Sequence, residues 1–205
     1  MPKIVVHITY YILHITCCIF SSFAQAQLLD SSDLQRVITY TSISQALEHP
    51  ESVYKLNLSK QKLKVFPMEI TQLKNLQELD LSKNKIIEIP KEIELLTHLQ
   101  ELDASKNKLE KIPPEIGNLK NLRHLNLGRN EIVNVPKEIG QLEQLLILDM
   151  WDNNLNNLPD EIQNLKNLKV LELRGILFSE EEHARLKTLL PNTQIYLSPS
   201  CNCKN

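Results

Sequence analysis

The 205-residue chain is short of the equipment that enzymes, nucleic-acid binders and metalloproteins carry. It contains no G-x-x-x-x-G-K-S/T phosphate loop and no G-x-S-x-G nucleophile turn, and past the N-terminal stretch its histidines, His49, His98, His124 and His183, are dispersed. No catalytic residue is expected, and no cofactor. Cysteine occurs four times, as Cys17 and Cys18 near the start and Cys201 and Cys203 near the end. Two thiols either side of one residue are too few for a zinc site, and a bridge between them would be strained and close too small a loop to stabilise much. Charge of neither sign is in excess, with 23 Lys and Arg against 25 Asp and Glu. That balance gives no electrostatic case for a nucleic-acid backbone or an anionic membrane as partner. Tryptophan occurs once, as Trp151.

Long apolar runs are also missing, apart from one. Met1-Pro2-Lys3 precedes an uncharged, largely apolar stretch from Ile4 to Phe23, and Ser22, Ala24 and Ala26 place small residues three and one positions before a cut after Ala24 or Ala26. Residues 1–26 are therefore predicted to be a signal peptide, and the protein to be secreted, periplasmic or held in the cell envelope. The alternative is an uncleaved anchor, since the stretch approaches the length that spans a bilayer. Membrane contact is expected only if that segment is retained.

What the chain has in place of catalytic motifs is a repeat. Leu76, Leu79, Leu81, Asn84, Ile86, Ile89, Pro90, Ile93 and Leu96 form a framework that recurs from Val53, Leu76, Leu99, Leu122, Leu145 and Leu168, each start 23 residues after the last. Within each copy the L-x-L core has the period of a short strand with one buried face, predicting strands at 55–59, 78–82, 101–105, 124–128, 147–151 and 170–174. Asn84, Asn107, Asn130 and Asn153 recur where the strands end, with Gln61 in the first repeat and Ile176 in the last, and an amide there can satisfy backbone groups at the bend, so this ladder is read as structural. A Pro-x-Glu-Ile arc follows in the first five repeats, as in Pro90-Lys91-Glu92-Ile93. Proline fixes φ where a helical turn starts, and the Glu lies near the positive end of its dipole. The same proline excludes a continuous coiled coil.

The flanks differ from the repeats. Residues 27–52 are expected to cap the first repeat, with Ser42 or Ser44 starting a short helix that ends near His49-Pro50. Residues 53–175 hold six repeats, and residues 176–197 form a second cap, in which Ser179 and Glu182 make a capping-box signal for a helix carrying Leu186, Leu189 and Leu190. Ile195-Tyr196-Leu197 is expected to add a last strand, and residues 198–205 a flexible tail.

The L-x-x-L-x-L-x-x-N-x-L framework from Leu76 to Ile86, with the arc Ile112-Pro113-Pro114-Glu115-Ile116-Gly117-Asn118-Leu119, resembles bacterial leucine-rich repeat proteins of the 23-residue class. It is also similar to the repeats of Ras-suppressor and Shoc-type scaffolds and of disease-resistance proteins. The resemblance covers about Val53 to Leu173. It implies an α/β solenoid, a horseshoe with a parallel concave sheet and short convex arcs, that binds a protein or peptide on the concave face without intrinsic catalysis. A cytoplasmic scaffold for a GTPase and a carbohydrate-binding surface protein are the alternatives.

Strand alternation then names the residues a partner would meet. In the N-terminal half, Glu78, Asp80, Glu101 and Asp103 place four carboxylates on adjacent strands bordered by Lys60, Lys83 and Lys106. A solvated charged surface, a basic-peptide site and a calcium site remain open for this patch. In the C-terminal half, Trp151 is expected on the exposed face near Arg129, Arg174, His124, Ile147, Asp149, Val170 and Glu172. Trp and Arg are the residue types that most often dominate binding energy, so this half is the expected interaction site. The competing reading has Trp151 covering the cap or stacking on Arg129 or Arg174.

Overall fold

A 23-residue circuit brings the chain back to the same side one strand further on, so every strand finds its predecessor in parallel register. The computed structural model describes residues 28–199; the expected signal peptide, Cys17, Cys18, Cys201 and Cys203 lie outside them. Eight strands follow one another in chain order: β1 (Thr39–Tyr40), β2 (Lys55–Asn57), β3 (Glu78–Asp80), β4 (Glu101–Asp103), β5 (His124–Asn126), β6 (Ile147–Asp149), β7 (Val170–Leu173) and β8 (Gln194–Leu197). All pairs are parallel, and Leu56, Leu79, Leu102, Leu125, Leu148 and Leu171 stand opposite one another. These leucines are buried and form one wall of the core. The opposite wall is the buried isoleucine of each arc, Ile70, Ile93, Ile116, Ile139 and Ile162.

The strands are shorter than the five residues expected, three in β2 to β6 and four in β7. The cause lies just beyond them. Lys60, Lys83, Lys106, Arg129 and Asp152 adopt left-handed φ of 56 to 60°, and Gly175 has φ 84°. Side chains other than glycine enter this region at a cost of about 1–2 kcal/mol, which the surrounding bend has to offset. Backbone pairing still runs past the strand ends, with Leu58 N–H donating to Asp80 O at 2.7 Å and Lys60 N–H to Ser82 O at 3.0 Å.

The amide ladder fills the inside of this bend. Asn130 Oδ1 accepts from Leu109 N at 3.0 Å, while its Nδ2 donates to Ala104 O at 3.1 Å and Leu127 O at 2.8 Å. Asn107 also donates to Ala104 O, and Asn153 also donates to Leu127 O. Neighbouring amides thus share a carbonyl, and each ties its own repeat to the one before. On the convex side the arcs are 3-10 turns, Met68–Gln72, Lys91–Leu95, Pro114–Asn118, Lys137–Gln141 and Asp160–Asn164. Each follows a proline whose φ lies between −66 and −74° and whose carbonyl accepts from the isoleucine three residues on at 3.1 Å.

Both flanks join the sheet. The N-terminal one supplies β1, together with helical turns α1 (Ser31–Leu34) and α2 (Ile43–Ala46). Ser42 occupies the cap position of α2, but its hydroxyl bonds to Ser44 Oγ at 2.8 Å instead of to a backbone N–H. Residue Leu29 is clasped from far along the chain. Its N–H donates to Gln77 Oε1 at 2.9 Å, and Gln100 Nε2 donates to its carbonyl at 2.9 Å and to Gln77 Oε1 at 2.7 Å. At the other end, α3 (Glu180–Leu189) starts with Ser179 Oγ accepting from Glu182 N at 3.2 Å. The Glu182 carboxylate does not return to complete the box. It accepts from Leu158 N at 3.3 Å and from Arg185, which also bonds Asp160 and the Leu158 carbonyl. The sheet therefore continues past Ile176, where the Asn ladder stops, into β8. Among the described residues no helix is long and apolar enough to cross a membrane.

Candidate interaction surface

Side chains that alternate with the buried leucines face the concave side, so register alone fixes three parallel columns. The middle column, Asn57, Asp80, Asp103, Asn126, Asp149 and Glu172, has a shared role absent from the sequence reading. Each side chain accepts from the backbone N–H two residues on, at distances from 2.8 Å (Asp80 and Asp103) to 3.2 Å (Asp149). The signal was present, because Asn and Asp alternate at one position, and what they have in common is an acceptor oxygen.

That role reduces the acidic patch. Asp80 and Asp103 each commit an oxygen to the backbone, Glu78 pairs with Lys55 Nζ at 2.7 Å, and Glu101 lies 3.3 Å from His124 Nδ1. The hydrogen bond from His124 holds the Glu101 carboxyl below its ordinary value against the opposing effect of burial. The side chains that meet these carboxylates are thus Lys55 and His124, whereas the bordering Lys60, Lys83 and Lys106 sit at the left-handed bends. Among the described residues, no three His, Cys, Asp or Glu side chains form a group able to hold a metal.

The C-terminal half is built around Trp151. The preceding strand carries Gly128 where the earlier repeats carry Ser59, Ser82 and Ser105, and the indole lies against it. A Cβ on Gly128 would fall 2.3 Å from both Cδ1 and Nε1 of the ring. Arg129 stacks on the indole with its guanidinium carbon 5.2 Å from the centroid, and its Nε donates to Asp152 Oδ2 at 3.3 Å. Arg174 is gripped by the mostly buried Glu172, Nε to Oε1 at 2.8 Å and Nη2 to Oε2 at 2.6 Å, and lies over Tyr196 at 5.4 Å. Burial raises the Glu172 carboxyl, but the hydrogen bonds from Arg174 outweigh it and hold the group below the usual value.

A cleft of about 410 Å3 opens between Asp149, Trp151, Glu172 and Arg174. Burial pushes the Asp149 carboxyl above its ordinary value, against the Trp151 backbone N–H, and the charges of Glu172 and Asp103 add to the rise. Of the expected site residues, Trp151, Arg129, Asp149, Glu172 and Arg174 come together here. Ile147 and Val170 pair one column away, Ile147 being 36% exposed. His124 pairs with Glu101 and is not among the residues lining this cleft. Tyr196 joins the group unanticipated, because β7–β8 pairing sets it opposite Glu172. The alternation in Ile195-Tyr196-Leu197 already pointed its ring to the concave side.

Residues 51–109 match the family model described as leucine rich repeat, and residues 112–189 the model described as leucine-rich repeat region. Among solved structures, a leucine-rich repeat protein of Leptospira interrogans is 29% identical over 78% of this chain and 58% of that one, with a TM-score of 0.46. Internalin C2 of Listeria monocytogenes is 24% identical over 72% of this chain and 62% of that one, with a TM-score of 0.63. The ectodomain of the receptor kinase GASSHO1/SCHENGEN3 from Arabidopsis thaliana, solved in complex with Casparian strip integrity factor 2, is 25% identical over 78% of this chain and 22% of that one, with a TM-score of 0.58. This chain thus spans about six tenths of the two bacterial structures and about a fifth of the plant ectodomain. No curated protein aligns with it at a significant level. With an in-register parallel sheet, one circuit per 23 residues and family matches running from the first repeat into the C-terminal cap, the chain belongs to the leucine-rich repeat family.

Proposed function

We propose that this protein is an exported, non-enzymatic recognition module that binds a protein ligand on the C-terminal half of its concave sheet. The observation that carries the site is the cluster of Trp151, Arg129, Asp149, Glu172 and Arg174 around one cleft, with Ile147 and Tyr196 exposed beside it. An aromatic anchor with arginines and an apolar border is the composition that dominates binding energy at protein interfaces. Membership of a repeat family built for protein–protein interaction supports the general reading, and so does the likeness to an ectodomain solved in complex with Casparian strip integrity factor 2. In this reading residues 1–26 direct export, 27–52 and 176–197 cap the solenoid, and 53–175 present the ligand surface.

Two measurements test it together. The intact mass of the protein from the exported fraction of its host should begin at Gln25 or Gln27, and full-length chain in the cytosol would remove the export claim. Wild-type protein should retain its partner from that fraction, whereas Trp151→Ala, shown folded by circular dichroism, should lose it. A folded Trp151→Ala variant that captures the same partner equally well would remove the site.

A further inference from the structure

We propose that the cleft beside Trp151 receives a lysine or arginine side chain presented by the partner protein. The proposal rests on the concave reading above and adds the chemistry of what enters. It follows from asking which charges around the cleft are already answered. Arg129 has Asp152, and Arg174 has both oxygens of Glu172. Each arginine is already paired with a carboxylate of its own chain, so the region is less basic than its residue types suggest.

Asp149 is the charge that remains. Its Oδ1 accepts from the Trp151 backbone N–H at 3.2 Å, and among the described residues no other donor reaches the carboxylate. Its cross-strand neighbours are Asn126 and Glu172. The Asn126 amide is turned to Asp103 Oδ2 at 3.3 Å, and Glu172 is held by Arg174, so neither satisfies it. The net electrostatic surroundings agree: burial acts most strongly against the Asp149 charge and Glu172 and Asp103 add to it, outweighing the Trp151 N–H and the charge of Arg174.

Closing such a cleft with an apolar group would bury a carboxylate without a full set of partners, which is costly. An anion would face the Asp149 carboxylate directly. A cation gains a charge-assisted hydrogen bond from the free oxygen and an aromatic wall from Trp151 for its alkyl or planar stem. A volume of about 410 Å3 lies at the small end of ligand pockets, about 300–1,000 Å3, and suits one long side chain of a larger partner.

The sole tryptophan is the reporter. End-capped Leu-Lys-Leu, Leu-Arg-Leu, Leu-Gln-Leu and Leu-Glu-Leu peptides are titrated into the folded protein while Trp151 emission is followed. The Lys and Arg peptides should give a saturable change that weakens with added salt, and the Gln and Glu peptides should bind at least about tenfold more weakly, the scale of one charge-assisted hydrogen bond. Asp149→Asn should reduce Lys-peptide affinity by about tenfold, while Asp80→Asn leaves it unchanged. Asn already stands in this column at Asn57 and Asn126, accepting the same backbone bond, so both variants keep the fold. Equal binding of the Glu or Gln peptide, an unaltered Asp149→Asn titration, or no response to the Lys and Arg peptides would each overturn the cation assignment. If Trp151→Ala still abolishes partner capture in that event, the concave site stands and only its ligand chemistry is wrong.

Discussion

Shared carbonyls make the amide ladder a test of how the solenoid holds itself together. Asn107 and Asn130 both donate to Ala104 O, at 3.0 and 3.1 Å. Replacing Asn130 with Ala leaves Leu109 N–H without its acceptor in a buried position, but Ala104 O keeps the Asn107 amide and Leu127 O keeps the Asn153 amide. One orphaned buried donor costs about 1–3 kcal/mol, so the single variant should lose about 2 kcal/mol. Asn107→Ala orphans Ile86 N–H in the same way and leaves Ala104 O with Asn130. In the double variant Ala104 O loses both amides at once, which adds about 1–2 kcal/mol beyond the sum of the singles. The control is Asn84→Ala with Asn153→Ala, which share no carbonyl and should add to within about 0.5 kcal/mol. Urea unfolding followed by far-ultraviolet circular dichroism measures all six variants. If Asn107 and Asn130 prove as additive as the control pair, the shared-acceptor reasoning is refuted.

Two further outcomes follow from the site and the cap. Gly128→Ser, which restores the residue of the earlier repeats, should force the indole off the strand, break its stack on Arg129, shift Trp151 emission to longer wavelength and abolish partner capture; unchanged emission would contradict the packing described. At the C-terminal cap, the hydrogen bonds from Arg185, opposed by burial and helped by Leu158 N–H, hold the Glu182 carboxyl below its ordinary value. A depressed carboxyl stabilises the fold above its unfolded-state pKa, and that contribution disappears as pH falls through the folded-state value. Protection of α3 amides against hydrogen exchange should therefore decline on acidification below the usual glutamate range. Glu182→Gln should show lower protection at neutral pH, by about 1–2 kcal/mol, and little further decline.

The repeat was legible because four successive copies, from Leu76 to Asn167, state the same pattern in full, and the buried leucines, the arcs and the placement of Trp151 on the concave side all follow from it. Strand length was not legible, since Lys83, Lys106 and Arg129 carry no local mark of the left-handed conformation that Gly175 advertises. Two-residue β1 lacks a pattern of its own and exists because β2 offers an edge. The clasp on Leu29 joins residues 48 and 71 positions apart, beyond any local signal. The middle acceptor column was misread for a different reason: Asp was taken for its charge, while the hydrogen bond it makes is the one Asn makes beside it. Within the site, residue types predicted the cluster, but not that both arginines are paired with carboxylates of their own chain. That pairing depends on a bend bringing Asp152 beside Arg129 and on Glu172 reaching along its strand to Arg174.

The most direct test of recognition through the concave C-terminal half is site-specific photocrosslinking in the host. A photoreactive benzoylphenylalanine replaces Ile147 on the concave face or, in a second strain, Glu115 on a convex arc. The account predicts one covalent adduct with a partner protein from Ile147 that disappears when Trp151→Ala is added, and none from Glu115. Adducts from Glu115 with none from Ile147 would place recognition on the convex side and contradict it.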